Sequence, residues 1–375
     1  MNMLDRPANV TFHVVPPADW DDFVPACEPS HFEQTSRWAS VEAGDGWSAR
    51  YISERVDGRI DAGAMVLIRR QRPFGSVGYV FRGPLFRRDP IDPAKARGHM
   101  AAALKELARR ERLVLIVVVP PFGGEETVSG FLDRGFLRHP PSFPPRGLPT
   151  GAATIDLRPG IGEVERGFRR SLKQEVNRAA KKGLSVELGS AEDLEIFWSR
   201  HLELCRRRGV ASNIPGLDYV RSVWEEFSRF GGAWMFNAAL GGEILCSLIC
   251  LGVGKWFYAW RIGSHTDPGK VHPSQATFAQ AIRTAAEAGF HYFDFMGIDW
   301  DEAVRIERGE HLNTPTSGMT FFKLGFGGTV RKLPATLAWY PNPVLRSLMR
   351  SVGYRILSSR KSQRWIGRPR HSGPV

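Results

Sequence analysis

The side chains with the most chemical potential lie late in the chain. Two short aromatic segments, residues 290–296 (FHYFDFM) and 319–322 (MTFF), bracket a charged stretch and set one acid, Asp294, and one base, Lys323, among apolar neighbours. A lysine flanked by Phe322 and Leu324 can lie in a low-dielectric wall, where a fixed cation acts strongly on developing negative charge. The alternative is a surface lysine snorkelling from its backbone. Asp294 either positions a partner or serves as a base, or it caps the turn before Gly297. Tyr258, Trp260 and Arg261 alternate along an aromatic run that either lines an acceptor groove or packs a core. No His-Glu-x-x-His, Gly-x-Ser-x-Gly or Cys-x-x-Cys occurs, and the histidines are scattered, so neither a metal nor a cofactor is expected.

These residues need a scaffold, and its pattern is legible. Strands are expected over 48–56, 60–69 and 76–81, the first two joined by Asp57-Gly58. A helix over 93–112 and a wholly apolar strand over 113–119 follow. The order returns later: strands over 233–239, 243–251 and 255–262, the first two joined by Gly241-Gly242, then a helix over 275–288 and a strand over 290–296. Such an internal duplication governs the reading of the fold. Residues 1–30 read as irregular, 31–41 as a short helix with Phe32, Trp38 and Val41 inward, and 139–149 as a stiff Pro-rich connector. Two helical stretches, 162–182 and 191–208, separate the copies.

Charge locates a further feature. After Glu310 there is no Asp or Glu but eleven Lys and Arg, so residues 1–310 hold 40 basic against 39 acidic side chains. The body is near neutral, and the cationic end points to a polyanion or an anionic membrane surface. Val344, Leu345, Leu348, Met349, Val352 and Ile356 form a stripe at helical spacing, with arginines beside it, and 359–375 read as disordered. No apolar run is long enough to span a bilayer, the first 17 residues lack a signal-peptide core, and the four cysteines have no paired spacing. A cytoplasmic location is expected.

The order Tyr-Phe-Asp-Phe-Met-Gly (292–297), charged loop, Phe-Phe-Lys-Leu-Gly-Phe-Gly-Gly (321–328) resembles the Fem-type peptidyl and aminoacyl transferases. These are double-GNAT proteins that add amino acids from aminoacyl-tRNA to peptidoglycan precursors. Residues 31–38 (HFEQTSRW) look like the family's Gln-Ser-x-x-Trp element, Arg82-Gly83-Pro84 like its strand-ending Gly-Pro, and Thr154 to Leu157 with the basic 169–182 like its central junction. The resemblance runs from about residue 20 to 335. It implies that Lys323 is the lysine of the family's Phe-Lys motif, with Phe322 walling the site or meeting the donor's terminal adenosine. It implies that Arg207 and Tyr219 contribute to acceptor binding and Trp38 to substrate binding, although Arg207 also fits a solvated cluster at a helix end. One departure is notable: Glu42 falls where members that bind a UDP-linked or lipid-linked precursor usually carry lysine.

GNAT enzymes hold the CoA pyrophosphate on a loop that follows a strand and opens a helix. Arg206 to Ala211 fits that motif in letters but follows a helix, and the loops at 86–93 and 262–275 are poor anion cradles. Such a loss is what a tRNA-dependent enzyme would show. The expectation is therefore an α/β protein of two tandem GNAT-like (acyl-CoA N-acyltransferase) domains with mixed, largely antiparallel sheets, over 1–150 and 151–335, and a basic tail over 336–375. The expected activity is aminoacyl transfer from aminoacyl-tRNA to an amine of a cell-wall peptide or related precursor, catalysed by Lys323 and Asp294, with Phe322, Tyr258, Arg261, Arg207, Tyr219 and Trp38 binding substrate. The rivals are N-acyl transfer from an acyl-CoA to a glycan or small metabolite, and a non-catalytic scaffold. Residues 344–375 are expected to meet the inner face of an anionic membrane.

Overall fold

The structure, a computed structural model, describes residues 9–71, 75–88, 92–140, 148–265, 271–314 and 317–353. It divides into two compact units. Unit 1 holds the residues up to Pro29, Gly46–Leu148 and the described residues from Pro334 onward; unit 2 holds Ser30–Asp45 and Pro149–Leu333.

The chain enters unit 1 with β1 (Val10–His13), paired to residues 51–54, where an irregular segment was expected, and α1 (Trp20–Phe23). Helix α2 (Ser36–Gly44), started by Thr35, whose hydroxyl accepts the Trp38 N–H at 3.2 Å, belongs to unit 2. Strands β2 (Ser48–Val56) and β3 (Arg59–Gln71) form a hairpin whose two turn residues, Asp57 and Gly58, both have positive φ (49° and 81°), as a type I′ turn requires. Then come β4 (Gly75–Phe81), β5 (Leu85–Phe86), α3 (Pro93–Arg110), β6 (Leu113–Val119), α4 (Glu125–Leu132) and β7 (Leu137–Arg138). Helix α3 lays Met100, Leu104 and Leu107 on the sheet, where they meet Ile116 and Val118 of β6. β6 is parallel to β4, and both its faces are covered, Leu113, Ile116 and Val118 in one core cluster and Leu115, Val117 and Val119 in another, which accounts for its unbroken apolar sequence.

Unit 2 continues with β8 (Gly151–Asp156), α5 (Ile161–Arg166), α6 (Arg170–Lys181), β9 (Ser185–Leu188), α7 (Leu194–Arg208) and α8 (Leu217–Ser228). The helix expected over 162–182 is two. The chain passes close at the break: Arg169 N–H donates to the Gly325 carbonyl at 2.8 Å, and a Cβ on Gly327 would lie 2.3 Å from the Gly167 oxygen. Strands β10 (Ala233–Leu240) and β11 (Glu243–Val253) form the second hairpin, followed by β12 (Trp256–Ser264), α9 (Pro273–Glu287) and β13 (Tyr292–Ile298). The charged stretch after β13 contains a helix, α10 (Trp300–Glu307), capped by Asp299, and α11 (Ser317–Leu324) and β14 (Thr329–Lys332) complete the unit. Its sheet runs β14-β8-β13-β12-β11-β10-β9. Phe278 and Ile282 of α9 bury against Phe257, Phe293 and Phe295.

The chain then returns to unit 1. Residues 337–339, expected in a tail, form β15 (Leu337–Trp339), a fully buried strand between β6 and β7, and α12 (Pro343–Leu348) follows. Sheet order in unit 1 is β1-β2-β3-β4-β6-β15-β7. Hairpin, third strand, helix and parallel strand thus recur as β2-β3-β4-α3-β6 and β10-β11-β12-α9-β13, with the last two strands parallel in each case. The expected disorder over 359–375 lies outside the described residues.

Candidate functional site

The two copies differ at one point, and the difference makes a site in unit 2. In unit 1 the parallel pair β4/β6 stays paired to the end of β4, at Phe81↔Val119. In unit 2 the pairing of β12 with β13 stops at Tyr258↔Asp294, although both strands run on to Ser264 and Ile298. Local chemistry bends β13 there. Asp294 accepts the Met296 N–H at 2.6 Å, Met296 sits at φ 61°, and the register against β8 slips between Asp294 and Gly297. Pro149 crosses so close that a Cβ on Gly297 would fall 2.0 Å from the proline Cβ.

Lys323 occupies the space beyond that break. Its residue is 8% exposed, and its ammonium donates to the Gly297 carbonyl at 2.9 Å and the Met296 carbonyl at 3.4 Å. Helix α11 turns a polar stripe inward, with Ser317, Thr320 and Lys323 all buried at a spacing of three. Thr320 donates to Glu302 of α10 at 3.3 Å, which anchors the stripe. Burial lowers the Lys323 pKa to about 8; Asp294 holds it up, while Arg208 and Arg261 push it down. An ammonium near its pKa, inside the fold and beside other cations, is a strong electrostatic group.

Arg261 of β12 is half-buried, stacks over Trp260 at 5.3 Å and donates Nη1 to the Trp260 carbonyl at 2.8 Å; its buried Nε has no partner. Burial lowers its pKa. Arg208, the last residue of α7, reaches α11 with Nη1 3.7 Å from Met319 Sδ, four residues before Lys323. Tyr219 of α8 donates to Glu42 of α2 at 2.6 Å and packs edge-on to Trp38 at 6.3 Å. Burial, and then the Glu42 carboxylate, raise the Tyr219 pKa.

The other expected residues sit as follows. Tyr258 is buried and donates to the Ser30 carbonyl, with its ring against His31 and Phe32. Phe322 turns onto Phe278 and Phe326. Trp38 is buried against Phe32 as well as Tyr219. Arg207 donates to the His265 carbonyl at 2.7 Å. Of the two adjacent arginines, Arg207 and Arg208, it is Arg208 that acts on Lys323, and helical phase carries the signal. Phe197, His201 and Leu204 are the buried face of α7, and the next residue of that 4-3-4 spacing is Arg208.

Comparison with known proteins agrees with the duplicated architecture. The FemAB family model matches residues 15–128, and the acetyltransferase (GNAT) domain model matches residues 166–303. The lipid II:glycine glycyltransferase of Staphylococcus aureus (strain MRSA252) is 23% identical over 234 residues, which cover 59% of this chain and 53% of that protein. This chain therefore spans about half the length of such curated relatives. A crystal structure of FemX superposes with a TM-score of 0.78 at 17% identity, covering 91% of this chain and 100% of that one. A tandem GNAT protein from the clavulanic acid biosynthesis pathway gives a TM-score of 0.50 at 13% identity, over 89% and 98% of the two chains. Fold and site together define a tandem GNAT-like protein in which the second copy carries the open strand pair. In sequence the chain is similar to the Fem-type GNAT-like transferases over part of its length, and in fold over most of it. Among the described residues, no helix is long and apolar enough to cross a membrane.

Proposed function

We propose that the protein is an acyltransferase that moves an amino acid from aminoacyl-tRNA to an amine of a cell-wall peptide or related precursor. The observation that carries this reading is the buried ammonium of Lys323, fixed by two backbone carbonyls where β12 and β13 part. The ester of an aminoacyl-tRNA is already activated, so the incoming amine attacks its carbonyl directly. The protein's tasks are alignment and stabilisation of the tetrahedral oxyanion. Lys323 supplies the positive charge. Asp294 holds the bend that presents the Met296 and Gly297 carbonyls to it. Collapse of the intermediate expels the ribose oxygen, which leaves with the proton lost by the attacking nitrogen. The match to a lipid II:glycine glycyltransferase supports a cell-wall precursor as acceptor.

A second reading, transfer from an acyl-CoA to a glycan or small metabolite, is favoured by the GNAT match and by α9. That helix opens after β12 with no side-chain cap at His272. Unit 1 differs, since Asp92 caps α3 by accepting the Lys95 N–H at 2.9 Å. Incubation of the purified protein with charged tRNA or with acetyl-CoA, each with a panel of amines, separates the two. Consumption of charged tRNA alone is expected, and turnover of acetyl-CoA alone would replace the first reading with the second.

The protein works in the cytoplasm at the inner face of the membrane. Exposed Val344, Leu345 and Leu348 on α12, beside Arg346 and Arg350, support a contact with an anionic lipid surface.

A further inference from the structure

Several arginines of unit 2 are answered by carboxylates. Arg200 pairs with Glu203 and Glu243, Arg221 with Glu195 and Asp218, and Arg283 with Glu165. Arg208, Arg261 and Lys323 form no ion pair with any described residue, and the carboxylates of Asp294 and Glu33 act on Lys323 and Arg261 only from a distance. Nevertheless they lie near one another, because Arg208 lies against the α11 face that carries Lys323, and both Arg208 and Arg261 act on Lys323 electrostatically. Unpaired cations brought together in a partly buried place repel, and the fold tolerates this where an anion is to arrive.

Arg261 shows how that anion would be held. Nη1 is committed to the Trp260 carbonyl, and the guanidinium is steadied over the Trp260 ring. This leaves the edge formed by Nε and Nη2, with Nε buried and unpartnered. Two parallel N–H donors on one rigid edge match two oxygens of a carboxylate or phosphate. A buried donor left without an acceptor is costly, so the vacant edge marks a place a ligand fills.

We infer that Arg261, assisted by Arg208 and Lys323, is an oxyanion-binding subsite that grips a phosphate or carboxylate of the bound substrate through its Nε–Nη2 edge. The subsite deepens the acyl-transfer reading of unit 2 and rests on it for the identity of the substrate. It makes Arg261 a specificity-determining residue: a neutral acceptor or donor fragment binds poorly, and an anionic one well.

Binding to the full chain tests this without turnover. Pyrophosphate and AMP serve as phosphate probes and N-acetyl-D-alanine as a carboxylate probe, each titrated by calorimetry at constant ionic strength. Binding of the phosphate probes alone, or of the carboxylate alone, supports the subsite and names its source. Arg261→Gln is expected to weaken the binding probe at least tenfold, and Arg261→Lys, which keeps the charge but not the fork, by an intermediate factor. Arg208→Gln is expected to weaken it severalfold, whereas Arg221→Gln on the surface leaves it unchanged. Melting curves without probe establish that each variant is folded, and Arg208→Gln stands in should Arg261→Gln not fold. Undiminished binding in Arg261→Gln and Arg208→Gln, or no binding of any probe to the wild type, overturns the inference. Absence of transfer from every donor, with anion binding intact, would instead remove the acyl-transfer reading alone.

Discussion

Lys323 should make the protein's stability depend on pH in a particular direction. Its pKa falls from 10.5 to about 8 on folding, a difference worth roughly 3 kcal/mol at about 1.36 kcal/mol per unit. The unfolded chain keeps this proton up to its ordinary pKa, while the folded chain releases it earlier. Between these two values the unfolded state binds more protons, so stability rises with pH there; below about 8 the full burial cost of the ammonium is present. Lys323→Met removes that cost but leaves the Met296 and Gly297 carbonyls without their donor. Each lost bond costs about 1 kcal/mol, so at pH 7 the variant is expected within about 1 kcal/mol of wild type while transfer collapses. Urea unfolding of both proteins from pH 7 to 10, at fixed ionic strength, reads the difference. Wild type should gain on the variant by about 1.4 kcal/mol per pH unit above 8. A flat difference across that range would refute the argument that burial sets the charge of Lys323.

Three further outcomes follow from the same geometry. Gly297→Ala would set its Cβ 2.0 Å from the Pro149 Cβ, so β13 must move. Stability should fall by roughly 1–3 kcal/mol and activity with it, whereas Gly318→Ala, with nothing within 4 Å, should leave both near wild type in the same melts and rate assays. Leu104→Ala, a fully buried change in the core of unit 1, should cost about 2–5 kcal/mol in denaturant unfolding while the anion binding of unit 2 persists. Leu348→Glu, at a position 55% exposed on α12, should weaken sedimentation with vesicles containing anionic lipid roughly tenfold without lowering the melting temperature; equal binding would remove α12 from the membrane contact.

The framework was legible because its signals are local. Asp57-Gly58 and Gly241-Gly242 announce hairpins, and the unbroken apolar run of β6 announces a strand covered on both faces. The duplicated order of elements followed from those signals. Elsewhere tertiary contacts decided. Nothing local in 162–182 reveals that Gly327 passes at Gly167 and splits the helix. Residues 337–339 read as tail because three residues carry no periodicity, and only a place between β6 and β7 makes them a strand. At the site, Asp294 and Lys323 were visible as charges among aromatics. The inward stripe Ser317, Thr320 and Lys323 was not, because an inward polar face reverses the pattern by which helices are recognised. Arg207 stands out in the sequence through its resemblance to the family's acceptor element, whereas Arg208 differs from it only in helical phase, which no motif reads.

The central claim is that the held cation of Lys323 acts on the transition state of acyl transfer. Single-turnover transfer from charged tRNA to a saturating amine, wild type against Lys323→Met at pH 7, tests it most directly. Loss of one such electrostatic contact lowers the chemical step by roughly 10²–10³, with the variant still folded by the melts above. A variant that transfers at the wild-type rate would contradict the account.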